Sequence, residues 1–284
     1  YKVCPGYSIN FKQHNLQIFD KDPENALIGN YRNCYAGFST DYEIRYNSSS
    51  GGLVTQLLLF ALRKGIIDGA LVTRMKKDKP LEPEPFIART REEIISASKS
   101  KYCPVPANIA IKEILEKEGK YAVVGLPCQI HGIRKAEEVN SKLRKRITIH
   151  FGLVCNHTPT FHATEYLLYR LGIPKDKVAG IDYRGKGWPG GMTIRLKDNS
   201  CNYVHHFASE YWGLIFLKFF WPWRCSLCDD KINELSDISF MDAWLPKYLT
   251  DKAGRSFVVS RNTVGENLLH KASLEGEIEV NNVT

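Results

Sequence analysis

Four cysteines, drawn from three distant stretches of the chain, are the residues best suited to chemistry. Cys225 and Cys228 form a C-x-x-C pair, and the two residues between them turn the backbone so that both thiols can face one metal centre. Cys128 and Cys155 each follow an apolar run that predicts a buried strand. Four thiolates form a shell that suits zinc or an iron–sulfur cluster.

The spacing of these cysteines favours the cluster. A zinc ribbon or finger normally supplies a second C-x-x-C or a spaced histidine pair, whereas here His205 and His206 are adjacent and point apart. One C-x-x-C combined with distant single cysteines is typical of iron–sulfur sites in larger folds. Zinc stays the alternative. A disulfide framework fits small secreted domains better than this chain of 284 residues.

A glycine-rich loop provides a second candidate site. Ser50, Gly51 and Gly52 precede an apolar stretch that predicts a buried helix, and backbone N–H groups at a helix start can bind an anion such as a dinucleotide pyrophosphate. A plain serine N-cap explains the loop equally well. Lys101 and Tyr102 lie among prolines and offer a cation for a phosphate and a ring for stacking; the alternative is an ordinary loop.

Two histidines lie beside the candidate metal ligands. His131 is three residues beyond Cys128, and His157 is two residues beyond Cys155. Each can donate a hydrogen bond to cluster sulfur or to a flavin, and a structural histidine is the alternative for both.

The elements that must position these residues follow an alternating pattern. Helical and strand-like stretches alternate between residues 53 and 171, interrupted by a proline-rich linker at 79–85. The pattern predicts an α/β fold with a largely parallel or mixed sheet flanked by helices, and a β-rich insertion after about residue 180. Ligands collect at the carboxyl ends of strands in such sheets, so we expect Cys128 and Cys155 on one edge.

Charge and hydropathy narrow the classes of partner. The net charge is +8, and the basic cluster at 142–146 is the best candidate for nucleic acid, but no nucleic-acid motif accompanies it and a solvated helix end explains it. The longest apolar run, residues 211–223, is interrupted by Lys218 and Pro222, so no membrane span is predicted. No signal peptide is visible, and we expect a cytoplasmic protein with reduced thiols.

Several motifs together resemble the beta subunits of coenzyme F420-reducing hydrogenases and dehydrogenases. They occur in the family's order and span about residues 45 to 280: residues 51–55, 101–102, 125–135, 152–155, 225–228 and 234–239. The combination is specific, although each motif alone is not. Residues 131–132, 156–157, 188–191 and 242–244 depart from the hydrogenase subunits, which leaves the substrate open.

The resemblance implies FAD and one [4Fe-4S] cluster as cofactors. Matched by motif, the cluster ligands would be Cys128, Cys155, Cys225 and Cys228. The residues that would lie against FAD are Ser50, Gly51, Gly52, Thr55, Lys101, Tyr102, Asn108, Pro127, Gln129, His131 and Gly132. Residues 1–47 would be an arm, the remnant of a ferredoxin-like domain, because Cys4-Pro5 matches the end of a ferredoxin cluster motif. Residues 48–284 would form the cofactor-binding domain.

The implied function is an iron–sulfur flavoprotein oxidoreductase. It would pass electrons between a one-electron donor, either ferredoxin or the clusters of partner subunits, and a small-molecule hydride carrier, coenzyme F420. Two alternatives stay open: a related FAD and [4Fe-4S] reductase acting on another organic substrate, and a zinc-stabilised nucleic-acid-binding module.

Overall fold

The computed structural model describes residues 2–211 and 218–283. The elements up to residue 170 are α1 (Phe11–Phe19), β1 (Asn33–Ser39), α2 (Tyr42–Tyr46), α3 (Leu53–Arg63), β2 (Gly69–Met75), β3 (Pro83–Ala88), α4 (Arg91–Ser96), α5 (Ile111–Glu116), β4 (Tyr121–Gly125), α6 (Pro127–Val139), α7 (Ser141–Arg146), β5 (Ile147–Leu153) and α8 (Phe161–Arg170). The later elements are β6 (Val178–Asp182), β7 (Gly191–Leu196), β8 (Cys201–His205), β9 (Ile238–Asp242), β10 (Ser256–Ser260), α9 (Thr263–Leu274) and β11 (Ile278–Asn282).

The large sheet has eight strands in the order β11-β1-β10-β9-β5-β4-β2-β3. Its centre is parallel, because β2, β4, β5 and β9 run in one direction, whereas β3, β10, β1 and β11 join by antiparallel pairing. The predicted mixed α/β sheet is therefore confirmed. The carboxyl ends of the four central strands lie along one edge, called here the carboxyl edge, where open α/β sheets bind ligands.

Helices cover both faces of this sheet and bury its apolar residues. On one face, Leu57 of α3 and Leu268 of α9 pack in the same cluster as Phe151 of β5. On the other face, Ile133 of α6 and Leu143 of α7 belong to the second cluster. The central strands are apolar on both faces for this reason, as is usual for parallel strands.

The β-rich insertion is a separate antiparallel sheet in the order β6-β7-β8, which begins at Val178 close to the expected position. Its core includes Leu167 of α8, Ile194 and the rings of Tyr183 and Tyr211. This small sheet carries the glycine-rich loop at 185–190 toward the carboxyl edge.

Three local predictions differ from the structure. The 79–85 linker runs into strand β3, whose Pro83 and Pro85 are tolerated because β3 is an edge strand. Helix α3 is preceded by Gly52 at a φ of 76°, without a side-chain cap, so the serine N-cap is wrong. The stretch 1–47 supplies β1 to the centre of the antiparallel half of the sheet, so the sheet begins earlier than the expected boundary at 48.

No helix in the described ranges combines the length and hydropathy that a membrane crossing needs. The longest is α6 with 13 residues, and it contains several charged side chains.

A buried charge cluster fixes α6 against the middle of the sheet. His150 of β5 is 2.8 Å from Glu137 through Nε2 and 3.1 Å from Asp237 through Nδ1. Arg134 lies 3.0 Å from Asp237 and 3.3 Å from Glu137. Burial and the Arg134 charge lower the pKa of His150, but the two carboxylates outweigh them and the pKa is raised. His150 is therefore favoured as an imidazolium inside the fold.

We expect this charge cluster to make the free energy of unfolding depend on pH, and we expect His150→Gln to remove that dependence. Because the folded pKa exceeds the unfolded value of about 6.5, the stabilisation is complete below that pH and is lost as pH rises through the raised pKa. We expect His150→Gln to lower the free energy of unfolding by about 3 kcal/mol near pH 6, and by less near pH 9. Urea unfolding at both pH values measures this, with the exposed His270→Gln as control. An equal loss at both pH values would contradict the prediction.

Candidate cysteine and cofactor site

The carboxyl edge brings the four predicted ligand cysteines together. Cys128 lies in the first turn of α6 directly after β4, and Cys155 lies two residues after the neighbouring β5. Burial raises the pKa of Cys155 to about 12, with a further contribution from the other three thiols. Part of Cys128 reaches the surface, but neighbouring protein atoms desolvate its thiol, and together with Cys228 and Cys225 they raise its pKa. Cys128 and Cys155 therefore disfavour the thiolate form until a cation shares their charge.

No three Cys, His, Asp or Glu side chains within the described ranges converge tightly enough to hold a single metal ion. A tetrahedral zinc ion with sulfur ligands at about 2.3 Å needs sulfur atoms about 3.8 Å apart. Four cysteines around an iron–sulfur cube lie further apart, because the cube separates them.

One asparagine sets the spacing of the two strands that end at these cysteines. The side-chain amide of Asn233 donates to the carbonyl of Gly125 at 2.9 Å and to the carbonyl of Leu153 at 3.2 Å. These carbonyls are the last of β4 and β5. Asn233 is fully buried and has a φ of 63°, a left-handed conformation that asparagine tolerates better than most residues.

A buried aspartate holds the turn that follows the C-x-x-C pair. Asp230 accepts hydrogen bonds from the backbone N–H groups of residues 232, 233 and 234, and its Oδ2 lies 2.8 Å from His131 Nε2. His131 belongs to α6, the helix that carries Cys128. The same carboxylate therefore joins the Cys128 helix to the Cys225–Cys228 turn.

Lys231 joins the remaining pair of ligand segments. Its ammonium donates to the carbonyl of Cys225 at 2.9 Å and to that of Asn156 at 2.8 Å, and its own carbonyl accepts from the N–H of Cys155. All three ligand segments are thus cross-linked by side chains of residues 230–233.

A buried arginine joins the loops beside this cysteine site. Arg184, which is 2% exposed, donates to the carbonyl of Ser49 at 2.6 Å, to the Tyr102 hydroxyl at 3.2 Å and to Asp242 at 3.2 Å. It also donates to the carbonyl of Pro189 at 3.1 Å. Burial alone would lower the pKa of Arg184, but Asp242 outweighs it and the pKa is raised. Three loops and the end of β9 therefore meet at one guanidinium.

The serine–glycine loop itself is anchored to β10. Ser256 Oγ lies 2.8 Å from Ser50 Oγ and accepts the Gly51 N–H at 3.1 Å. A Cβ on Gly51 would stand 2.4 Å from the carbonyl oxygen of Gly37, so only glycine fits there. The glycines therefore allow the close backbone packing that the sequence predicted. The Gly51 N–H, however, already donates to Ser256 Oγ.

Comparison with known proteins assigns the chain to a family. Residues 118–284 match the family model described as the C terminus of the coenzyme F420 hydrogenase/dehydrogenase beta subunit, and residues 34–112 match the N-terminal model of the same subunit. The chain belongs to this family. The resemblance inferred from the motifs is therefore confirmed.

Individual relatives agree with this assignment. The chain is 30% identical to the coenzyme F420 hydrogenase subunit beta of Methanothermobacter thermautotrophicus, over 89% of this chain and 85% of that protein. It is 27% identical to the coenzyme F420-dependent sulfite reductase of Methanocaldococcus jannaschii, over 100% of this chain but 42% of that protein. A chain of the F420-reducing [NiFe] hydrogenase complex from Methanosarcina barkeri superposes with a TM-score of 0.70 at 26% identity, covering 92% of this chain and 85% of that one.

The residues predicted against FAD fall into two neighbouring groups. One group contains Ser50, Gly51 and Gly52, which precede α3, and Thr55 in the first turn of α3. This group is joined to the 98–102 segment, because the Ser100 N–H donates to Ser49 Oγ at 2.8 Å. Tyr102 reaches the same group through Arg184. Lys101 is different: its ammonium donates to the carbonyls of residues 97, 98 and 99 beyond the end of α4. Burial lowers the pKa of Lys101 to about 7.

The second group surrounds the start of α6. Pro127 occupies its first turn, Gln129 donates to the carbonyl of Val105 at 3.0 Å, and Asn108 donates to the carbonyl of Gln129 at 3.1 Å. A Cβ on Gly132 would stand 2.9 Å from Asn108 Nδ2. Asn108 Oδ1 is buried without a hydrogen-bond partner among the described residues, which leaves a polar atom for a ligand.

Sequence reasoning missed the residues that hold the site: Asp230, Lys231, Asn233, Arg184 and Ser256. The interpretation of His131 as a structural residue describes its hydrogen bond to Asp230. A sequence signal existed for the first three, since they fall between the C-x-x-C pair and the next strand, where a polar turn must satisfy buried strand ends.

Substitution of Asn233 tests the linkage between the two strand ends. Asn233→Gly keeps the backbone conformation but removes two hydrogen bonds to buried carbonyls, so we expect a loss of about 2 kcal/mol in the free energy of unfolding. Asn233→Ala adds the cost of a left-handed alanine, about 1 kcal/mol more. Urea unfolding under reducing conditions measures both.

Asn199 provides the matched control, because it has a φ of 66° in an exposed turn. Asn199→Ala carries only the backbone cost. The interpretation fails if Asn233→Gly is as stable as the unsubstituted protein.

Proposed function

We propose that this chain is an iron–sulfur flavoprotein oxidoreductase that exchanges electrons between a one-electron donor and the hydride carrier coenzyme F420. The observation that carries the proposal is the meeting of four cysteines from three chain segments at the carboxyl edge, where Arg184 also binds Asp242 at the end of β9. Membership of the F420 hydrogenase and dehydrogenase beta-subunit family supports the choice of carrier.

The cysteine set fits a [4Fe-4S] cluster held by Cys128, Cys155, Cys225 and Cys228. The four thiols supply all the ligands that such a cluster needs. The raised pKa values of Cys128 and Cys155 disfavour their thiolates unless a cationic metal centre shares them. Asn233, Asp230 and Lys231 hold the backbone around the four cysteines.

The flavin would lie between the α3 loop and the start of α6. Ser50, Gly52 and Thr55 would face its phosphates at the helix start, and Asn108 offers a buried oxygen that has no partner among the residues that the structure describes. Lys101 would act on this site by closing the end of α4, since its donors are directed at backbone carbonyls. FAD supplies the ability to take up a hydride and release electrons singly, which matches a cluster to a hydride carrier.

The electron donor would be a ferredoxin or the clusters of partner subunits. The basic charge of +8 would attract an acidic redox protein at long range. Stopped-flow reduction of the bound flavin by reduced F420, compared with NADH, separates an F420 enzyme from a reductase that uses another organic substrate.

Anaerobic purification tests the cofactor content. We expect a brown protein with about four irons and one flavin per chain, and loss of the iron in Cys155→Ser because one ligand is removed. Iron analysis and the visible spectrum measure this. Cys201→Ser, at an exposed thiol of β8, should retain both cofactors. A colourless protein containing only zinc would reject the proposal in favour of a zinc-stabilised module.

Substitution of Arg184 tests the flavin site. Arg184→Met leaves the partly buried carboxylate of Asp242 without its charge partner and releases Ser49 and Tyr102, so we expect at least a tenfold weaker affinity for FAD. Arg184→Met combined with Asp242→Asn removes both charges and should lose less stability than the sum of the single variants. Flavin release measured by fluorescence, with iron content as a second readout, checks this. Unchanged FAD affinity in Arg184→Met would place the flavin elsewhere.

A further inference from the structure

Three aromatic side chains form a partly exposed surface beside the serine–glycine loop. The rings of Trp188 and Trp244 are 4.4 Å apart, and Phe207 lies 6.5 Å from Trp244. We call Trp188, Phe207 and Trp244 the aromatic shelf. Trp188 is buried, whereas Trp244 is 46% exposed and Phe207 is 54% exposed. The rings of Trp244 and Phe207 are thus partly exposed to solvent, whereas the Trp188 ring that contacts Trp244 is buried.

Hydrogen bonds hold Trp188, the buried residue of the aromatic shelf, in place. Trp188 Nε1 donates to Asp242 at 3.3 Å, and the other oxygen of Asp242 accepts from Arg184. The Trp188 N–H donates to the carbonyl of Lys252 at 2.6 Å. The stacked His206 ring lies 5.8 Å from Trp244 on the side of the small sheet. A ring held in this way loses little conformational entropy when a ligand covers it.

The shelf adjoins the loop that would bind the flavin. Asp242 is paired in register with Ser256, whose hydroxyl contacts Ser50 and Gly51. A Cβ on Gly254 would stand 2.7 Å from Trp188 Cβ and 3.2 Å from the carbonyl oxygen of Ser50, so the tryptophan and the loop touch the same glycine. A ring placed on the shelf would therefore lie next to the flavin site.

The surroundings of the shelf are basic. Lys186, Lys247 and Lys252 are exposed on the loops that carry Trp188 and Trp244. The nearby Asp251 is paired with Arg45 at 2.7 Å and with Arg255 at 2.9 Å, so its charge is already balanced. An anionic group extending from a ring on the shelf would meet positive charge.

We propose that the aromatic shelf is the subsite for the planar ring of the hydride carrier, with the lysines of its rim facing an acidic tail. Trp244 would stack on the ring, and Asp242 would act as a positioning residue through Trp188. Residues 188–191 and 242–244 are two of the four segments expected from the sequence to depart from the hydrogenase subunits, so the shelf would make substrate recognition particular to this chain. The inference rests on the proposed function, because it requires a hydride carrier as substrate.

Trp244→Ala in the anaerobic holoprotein tests the subsite. We expect the dissociation constant of coenzyme F420, measured by calorimetric titration, to rise at least fivefold because the exposed stacking face is lost. KM should rise in parallel while FAD and iron content stay the same. Trp244→Phe, which keeps a ring, should recover most of the affinity. Tyr169→Ala, at an exposed aromatic residue of α8, should bind F420 as the unsubstituted protein does.

Each other outcome has a distinct meaning. Unchanged F420 affinity in Trp244→Ala, in a protein that contains flavin and cluster, overturns the subsite alone. Loss of FAD together with F420 affinity would show that Trp244 holds the flavin site, and also overturns it. An unsubstituted protein that lacks flavin and iron rejects the proposed function, whatever the titration shows. If the unsubstituted protein binds NADH but not F420, an acidic-tailed deazaflavin is excluded as the ligand of the shelf. If it binds neither, the subsite is overturned.

Discussion

The candidate site depends on a problem that every parallel sheet has at its carboxyl edge. The last carbonyls of β4 and β5 point out of the ladder and are covered by chain, so they need donors. One side-chain amide, that of Asn233, supplies both donors and so fixes the distance between the two strand ends. Because Cys128 and Cys155 follow those ends within a few residues, the same amide sets where two of the four thiols lie.

A single segment connects the cysteine site with Arg184 at the carboxyl edge. Residues 225–244 start at the C-x-x-C pair, pass Asn233, run through β9 and finish at Asp242 and Trp244. At one end the segment is tied to α6 through Asp230 and His131, and at the other end to Arg184. The C-x-x-C pair and the residues proposed to face the substrate thus lie on one continuous segment, which in the proposed function would keep the distance between the redox centres constant.

The sequence predicted the pattern of the fold and the chemistry of the site, but not the residues that hold it. Periodicity identified the alternating helices and strands between residues 53 and 171, and the spacing of cysteines identified four thiols on one edge. The proline-rich β3 was not predicted because proline is permitted only by its edge position, which is a tertiary fact. Arg184 and Asn233 were missed for a related reason: except for Pro189, the acceptors of their side chains lie 58 to 135 residues away in the chain, and no local pattern marks a long-range hydrogen bond.

The polar residues nearest the proposed cofactor sites act through position more than through proton transfer. Lys101 has its pKa lowered to about 7, yet its donors are directed at three backbone carbonyls, so its charge would reach a ligand only through the end of α4. Arg184 keeps its charge and donates to Asp242 and to neutral acceptors of three loops. The proposed transfer of electrons and a hydride needs no general base from the protein. Under that proposal, these charges serve to hold a substrate ring, a flavin and a metal centre in fixed order.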